Sequence, residues 1–205
     1  MRELLPDVLT WSWFSEPHGY DFNGWFIRSP GGNLCIDPVE PAGPVLDVLR
    51  GEGVAQIVLT NRNHTRRATT IREATGAAIM IHPDDAAYAR AQGVAIDGAL
   101  EVGGTVGPFT IVGVPGKSPG EVALHWVERR LLVVGDAVVG KPPGRLALLR
   151  EAVMDDPPRL RASVRALVTL DVDTILLGDG ASILTGAGAR LRELVETFEQ
   201  SGVSG

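Results

Sequence analysis

One cysteine, Cys35, stands in the whole chain, so no internal disulfide can form and the fold must rest on packing alone. That thiol sits inside the apolar run Leu34-Cys35-Ile36, where a small buried hydrophobe is the expected role and a reactive nucleophile is not. No apolar run approaches the ~20 residues of a membrane span. Positive charge is scarce: 19 Lys and Arg against 25 Asp and Glu leave a net charge of −6. This argues against a nucleic-acid or anionic-membrane partner, because phosphate binding calls for a basic field. The cluster Arg62, Arg66, Arg67 is the local exception. Gly116-Lys117-Ser118-Pro119-Gly120 has the spacing Gly-x-Ser-x-Gly, but Ser118 is followed by proline in a turn and not by a helix, so a Ser-His-Asp hydrolase is not expected. The opening MRELLPDVLTWSW has no basic patch leading into a long apolar core and a small-residue cleavage site. No secretory signal is therefore expected, and the cytoplasm is the expected compartment.

What is present is enough for one domain over residues 1–205, since 44% of the chain is hydrophobic. Val8 to Phe14 and Phe22 to Arg28, rich in aromatic and β-branched residues, predict two strands joined by a loop, and Asn33 to Asp37 a third. A helix from Ala42 to Arg50 leads into a strand at Gln56 to Thr60. Thr65 to Thr75 predicts a helix stopped by Gly76, followed by a strand at Ala77 to Ile81 and a helix at Asp85 to Ala91. Phe109 to Val114, Glu121 to Val127 and Leu131 to Val134 predict a second sheet. A helix from Pro158 to Leu170, a buried strand from Thr174 to Leu177 and a helix from Ala187 to Gln200 complete the chain. Strand-rich halves each followed by helices imply an α/β (α+β) protein with two packed sheets and helices outside.

The stretch QIVLTNRNHTRR, Gln56 to Arg67, carries the expected chemistry. Its continuous apolar run suits a strand buried on both faces, and ligand sites of helix-covered sheets lie at the carboxyl ends of strands. Asn61, Arg62, Asn63, His64, Thr65 and Arg66 fall at that end. Three further turns follow: Pro115-Gly116-Lys117-Ser118-Pro119-Gly120, Leu131-Leu132-Val133-Val134-Gly135-Asp136 and Gly178-Asp179-Gly180.

These four segments, in this order, resemble the metallo-β-lactamase superfamily of metallohydrolases over nearly the whole chain. The resemblance implies a four-layer αββα sandwich. It also implies a metal site built from a His-x-His-x-Asp-His turn, a His in Pro-Gly-His-Ser-Pro-Gly, a bridging Asp and a His in Gly-His-Gly. Here the first turn reads Asn61 to Arg66, the second His position is Lys117, the bridging carboxylate is kept as Asp136, and the last position is Asp179. Ile36-Asp37-Pro38 matches a strand-ending Asp that in the family is structural and not a ligand.

Zinc sites require imidazole, thiolate or carboxylate donors, and a cation at a ligand position repels the ion it replaces. If the family geometry holds, Asp136 and Asp179 meet Arg66 and Lys117, and the four charges sum to zero. Ion pairs of Lys117 and Arg66 with the two aspartates are therefore predicted in place of a metal, with no cofactor. The candidate catalytic group is Asp136, Asp179, Lys117 and His64. Asn61, Asn63, Arg66 and His18 are the candidate contacts for a small anionic ligand, with Arg62 or Arg66 at the rim. The alternative is a hydrolase of an ester, thioester or lactone with one zinc or other divalent transition metal on His64, Asp136 and Asp179. That alternative needs a shifted turn, because His64 lies one residue past the family position and is otherwise expected to point away from the site. Asn61 and Asn63 are also suited to satisfying turn backbone, and Arg62 and Arg67 to solvated surface positions. His82 is expected to end a strand and His125 to face the less buried side of its own. Trp11, Trp13 and Trp25 suit either core or an exposed contact face, which leaves a homodimer open.

Overall fold

The computed structural model describes residues 1–200. Twelve strands and five α-helices follow one another among them. The first half carries β1 (Arg2–Leu5), β2 (Val8–Ser15), β3 (Tyr20–Ile27), β4 (Leu34–Ile36), α1 (Gly43–Glu52), β5 (Gln56–Val58), α2 (Ala68–Thr75), β6 (Ala78–Ile81), α3 (Pro83–Ala91) and β7 (Gly98–Ala99). The second carries β8 (Thr105–Val106), β9 (Phe109–Gly113), β10 (Val122–Trp126), β11 (Leu131–Val134), α4 (Pro157–Leu167), β12 (Thr174–Leu177) and α5 (Ala187–Gln200). β1 to β7 form one sheet in sequence order, and β12, β11, β10, β9 and β8 form the other.

Period-two alternation divides the apolar side chains into three layers of core. Trp25, Ile27, Ile36 and Val58 of the first sheet pack between the sheets against Phe109, Leu124, Val133 and Leu176 of the second. Their neighbours Phe26, Cys35, Ile57 and Leu59 turn outward under the first-half helices, with Leu49 of α1, Ile71 of α2 and Ala89 of α3. Ala123, Leu132, Val134 and Leu177 do the same beneath Leu160 and Val164 of α4 and Leu191 of α5. The result is the four-layer αββα sandwich. Trp11 and Trp25 are core residues, while Trp13 is 46% exposed.

Several elements differ from the sequence reading. β1 was not expected, being a four-residue edge strand with Arg2 and Glu3 facing solvent and no apolar alternation to mark it. α2 begins three residues later than predicted because residues 61–67 are held in turns, with Arg67 N donating to Pro38 O and Ala68 N to Thr65 O. α4 ends at Leu167 and not at Leu170, where turn hydrogen bonds take over. His125 is buried, contrary to expectation, with Nε2 3.4 Å from Asp171 O. No helix among the described residues is long and apolar enough to cross a membrane.

Register does the main work of positioning. β11 and β12 are parallel with Val134 opposite Leu177, and Gly178 N continues the ladder to Val134 O. Asp136 and Asp179 therefore leave the sheet side by side, two residues beyond that pair. Val122 N of β10 donates to Thr60 O just past β5, tying the ends of the two sheets together at the same place.

Candidate functional site

Where those strand ends converge, a histidine is clamped between carboxylates. Asp37 is fully buried just past β4; its Oδ1 accepts from Thr60 N (2.8 Å) and its Oδ2 from Thr60 Oγ1 (2.6 Å). The same Oδ2 lies 2.7 Å from His64 Nδ1. The other ring nitrogen, Nε2, is 3.2 Å from Asp136 Oδ1 and 4.0 Å from Asp179 Oδ1. The expectation that His64 points away is therefore corrected: it is fully buried and aimed into the site, because Asp37 fixes its ring from behind. A glycine on each strand end makes room, Gly178 for the His64 ring and Gly135 for Thr60 beneath it. A Cβ at Gly178 would sit 2.7 Å from His64 Cε1, and one at Gly135 would collide with Thr60 Oγ1.

Two cations complete the cluster, paired as the charge argument predicts. Arg66 Nη2 donates to Asp179 Oδ1 at 2.7 Å, and Lys117 Nζ lies 3.3 Å from Asp136 Oδ2 and 3.4 Å from Asn63 Oδ1. The Arg66 guanidinium lies over the Phe22 ring, 4.2 Å from its centroid, while its backbone takes the unusual φ of 21°. Such a conformation persists only where the surroundings over-determine it. Nη1 of the same guanidinium is buried and has no hydrogen-bond partner among the described residues.

The charges set one another's protonation. Burial and Arg66 both oppose a charged His64, but Asp37 and Asp136 outweigh them and hold its pKa up to about 10. Burial likewise opposes ionisation of Asp136, yet His64, Lys117 and Arg66 keep it well below the usual carboxylate range. Asp179 is raised by burial and by the charge of Asp136, against the pull of Arg66 and His64. With His64 as an imidazolium, three cations (His64, Arg66, Lys117) face three carboxylates (Asp37, Asp136, Asp179). Beneath them Glu121, buried and near Asn61 Nδ2 (3.5 Å), is pushed well above the carboxylate range by burial and by Asp136.

A buried carboxylate outside the cluster latches the two loops that build it. Asp85 of α3 accepts from Arg62 N (2.9 Å), Ser118 Oγ (2.6 Å) and Gly120 N (3.0 Å). It thereby joins the turn carrying His64 and Arg66 to the turn carrying Lys117. Asp85→Asn would leave one of these donors unsatisfied, since only Ser118 can reverse its hydroxyl and accept. The expected loss is about 1–3 kcal/mol of stability, checked by a denaturant midpoint.

A cavity of about 750 Å³ opens above the cluster. Asn63, His64, Arg66, Lys117, Asp136 and Asp179 line its floor, with His18, Tyr20 and Phe22 on one wall. Asn61 lies beneath that floor and is not a wall residue: its Oδ1 accepts from Asn63 N at 2.8 Å, the turn-stabilising role open to it. His18 has Nδ1 2.7 Å from Ser15 Oγ and its ring against Phe22. Arg62 is corrected from a solvated charge. It clamps Asp155 with two 2.7 Å contacts and covers Tyr88, whereas Arg67 is exposed and pairs with Glu40. Tyr20 was missed because a lone tyrosine beside a loop carries no mark of facing a site. Burial, Asp179 and Asp136 push its phenol up to about 12.

His64, Asp136 and Asp179 also offer donor atoms that all lie within 4.8 Å of one another, so the group is compact enough for a metal ion. Residues 1–198 match the sequence model of the metallo-beta-lactamase superfamily. A hydroxyacylglutathione hydrolase of Cereibacter sphaeroides (strain ATCC 17025 / ATH 2.4.3) is 30% identical over 158 residues, 71% of this chain and 56% of its own length. The chain spans about half the length of the curated relatives it matches. Among solved structures, TTHA1623 in a di-iron-bound form is 25% identical with a TM-score of 0.65, over 88% of this chain and 98% of that one. The FIM-1 metallo-beta-lactamase of Pseudomonas aeruginosa, in a mono-zinc form, shares the fold at a TM-score of 0.77 and 15% identity, over 98% of this chain and 95% of that one. With a family match across nearly its full length and the same sandwich in its structural neighbours, the chain belongs to the metallo-β-lactamase superfamily.

Proposed function

We propose that this site works without a resident metal and binds a small anion on Arg66 and Lys117. The observation that carries the reading is the placement of those two cations against Asp179 and Asp136, at 2.7 and 3.3 Å, on the lining of the cavity. The donor set suits an ion poorly as it stands. Asp136 is engaged by both Lys117 and His64, and the carboxylates on either side of His64, Asp37 and Asp136, favour its protonated ring. A divalent cation would have to displace two buried positive charges and remove that proton, each an electrostatic penalty of several kcal/mol. An incoming anion meets none of these obstacles. Guanidinium and ammonium donors recognise carboxylate and phosphate oxygens directly.

The second reading is a hydrolase of an ester, thioester or lactone with a mononuclear site on His64, Asp136 and Asp179. It is favoured by the mutual spacing of those donors and by the hydroxyacylglutathione hydrolases among the relatives. An ion bound there would supply Lewis-acid activation of water.

Elemental analysis of protein purified without chelators, joined to calorimetric titration with acetate and phosphate, separates the two. The expected result is no stoichiometric transition metal, and anion binding that is lost in Lys117→Met. A stoichiometric ion held by the wild type and lost in His64→Ala would overturn the metal-free reading and direct attention to thioester hydrolysis.

A further inference from the structure

We infer that the ligand of this cavity is a monocarboxylate with an extended apolar tail, its head on Arg66 and Lys117 and its tail along the segment from Val139 to Val153. This rests on the anion-binding reading above and names the chemical class of the anion.

Size makes the first argument. A cavity of about 750 Å³ is far larger than a bare carboxylate, whose volume is comparable to one or two waters at ~30 Å³ each. An anion alone would leave most of the space wet, whereas ligand sites of this size bury most of the molecule they hold.

The distribution of polarity makes the second. The cations on the floor are the Arg66 guanidinium and Lys117 Nζ, each paired with an aspartate, and Lys141 and Arg150 line the cavity away from them. Away from the floor the lining is mainly apolar, with Val139, Ala147, Leu148, Leu149 and Val153 interrupted by the charged Lys141 and Arg150. Val139 and Ala147 exchange two backbone hydrogen bonds of 2.9 Å, which pin this end of the wall and satisfy the peptide groups of that pair. A sugar or nucleotide would find few partners along it, while methylene groups would bury apolar surface.

Charge makes the third. Arg66 and Lys117 are each paired with an aspartate, and Asp136 and Asp179 line the same floor, so every negative charge a ligand brings is opposed there and one is accommodated at less cost than two. At the mouth, Lys141 already donates to His18 O at 2.8 Å and Arg150 stands exposed in solvent.

Calorimetric titration of the 205-residue chain with acetate, butyrate, hexanoate and octanoate tests the assignment, with octanol, suberate and inorganic phosphate as comparators. Affinity is expected to rise about threefold to fourfold per added methylene over the length of the wall. In Leu149→Asn the octanoate-to-acetate ratio should fall toward one. Octanoate binding no better than acetate would overturn the tail assignment while leaving the anion-binding reading in place. Octanol binding as tightly as octanoate, or phosphate or suberate binding more tightly, would overturn the monocarboxylate head. Failure of every anion to bind would remove the underlying reading itself.

Discussion

Asp136→Ala is expected to remove about 3–5 kcal/mol of folding stability, the range found when one member of a buried ion pair is deleted and its partner stays behind. Asp136 is 5% exposed and neutralises two groups at once, Lys117 at 3.3 Å and His64 at 3.2 Å. Its loss leaves Lys117 with only the Asn63 carbonyl oxygen, and leaves His64 Nε2 with only the more distant Asp179, 4.0 Å away, while Nδ1 keeps Asp37. The reciprocal change, Lys117→Met, should be milder, because Asp136 keeps its contact with His64. A double variant, Asp136→Leu with Lys117→Met, should recover much of the loss, since a well-packed apolar pair is often as stable as the buried ions it replaces. Denaturant midpoints for the wild type, both singles and the double form a mutant cycle whose coupling measures the pair. A cost below about 1 kcal/mol for Asp136→Ala would mean that water or an ion already screens this carboxylate, and the dry charge-balanced cluster would have to be abandoned.

That cluster was legible in the sequence as a set of charges but not as a geometry. The turns after β5, β9, β11 and β12 each end an apolar run, and that signal is strong because strand ends must stop where apolar residues stop. That Lys117 and Arg66 pair with the two aspartates followed from charge balance and the family geometry; which cation takes which aspartate, Arg66 with Asp179 and Lys117 with Asp136, did not. Orientation was not legible. Whether His64 faces in or out depends on a χ angle fixed by Asp37, 27 positions earlier, and on the absence of a Cβ at Gly178, far later in the chain. Nothing in the local sequence of either residue records that meeting. Asp85 illustrates the same limit, since it sits beside Asp84 at the start of α3, where helix starts favour acids. Asp84 remains at the helix start while Asp85 turns inward to hold two loops. The strand β1 failed for another reason: four residues with a solvated face have too little pattern to distinguish from a terminus.

The stability of the chain should fall as pH rises from about 6.5 toward 10, by up to about 1.4 kcal/mol per pH unit, and His64 is the group responsible. Its pKa stands at about 10 in the folded protein against an ordinary 6.5. Between those values the folded state holds one proton that the unfolded state has released, so raising the pH favours unfolding. Below the unfolded pKa both states are protonated and the contribution is fully present; it is lost as pH passes through the folded value. Subtracting the curve of His64→Gln from that of the wild type isolates this effect from lysines and tyrosines that titrate nearby. Burial alone would have lowered the pKa of His64, so the sign of the slope decides whether carboxylates or desolvation rule the site. A difference curve flat from pH 6.5 to 9, together with imidazole NMR shifts of a neutral ring at pH 8, would show that His64 is unprotonated and available as a donor, the condition a rebuilt metal site requires. An imidazolium spectrum persisting at pH 8 would leave that nitrogen closed to any ion and the floor of the cavity to its own three cations.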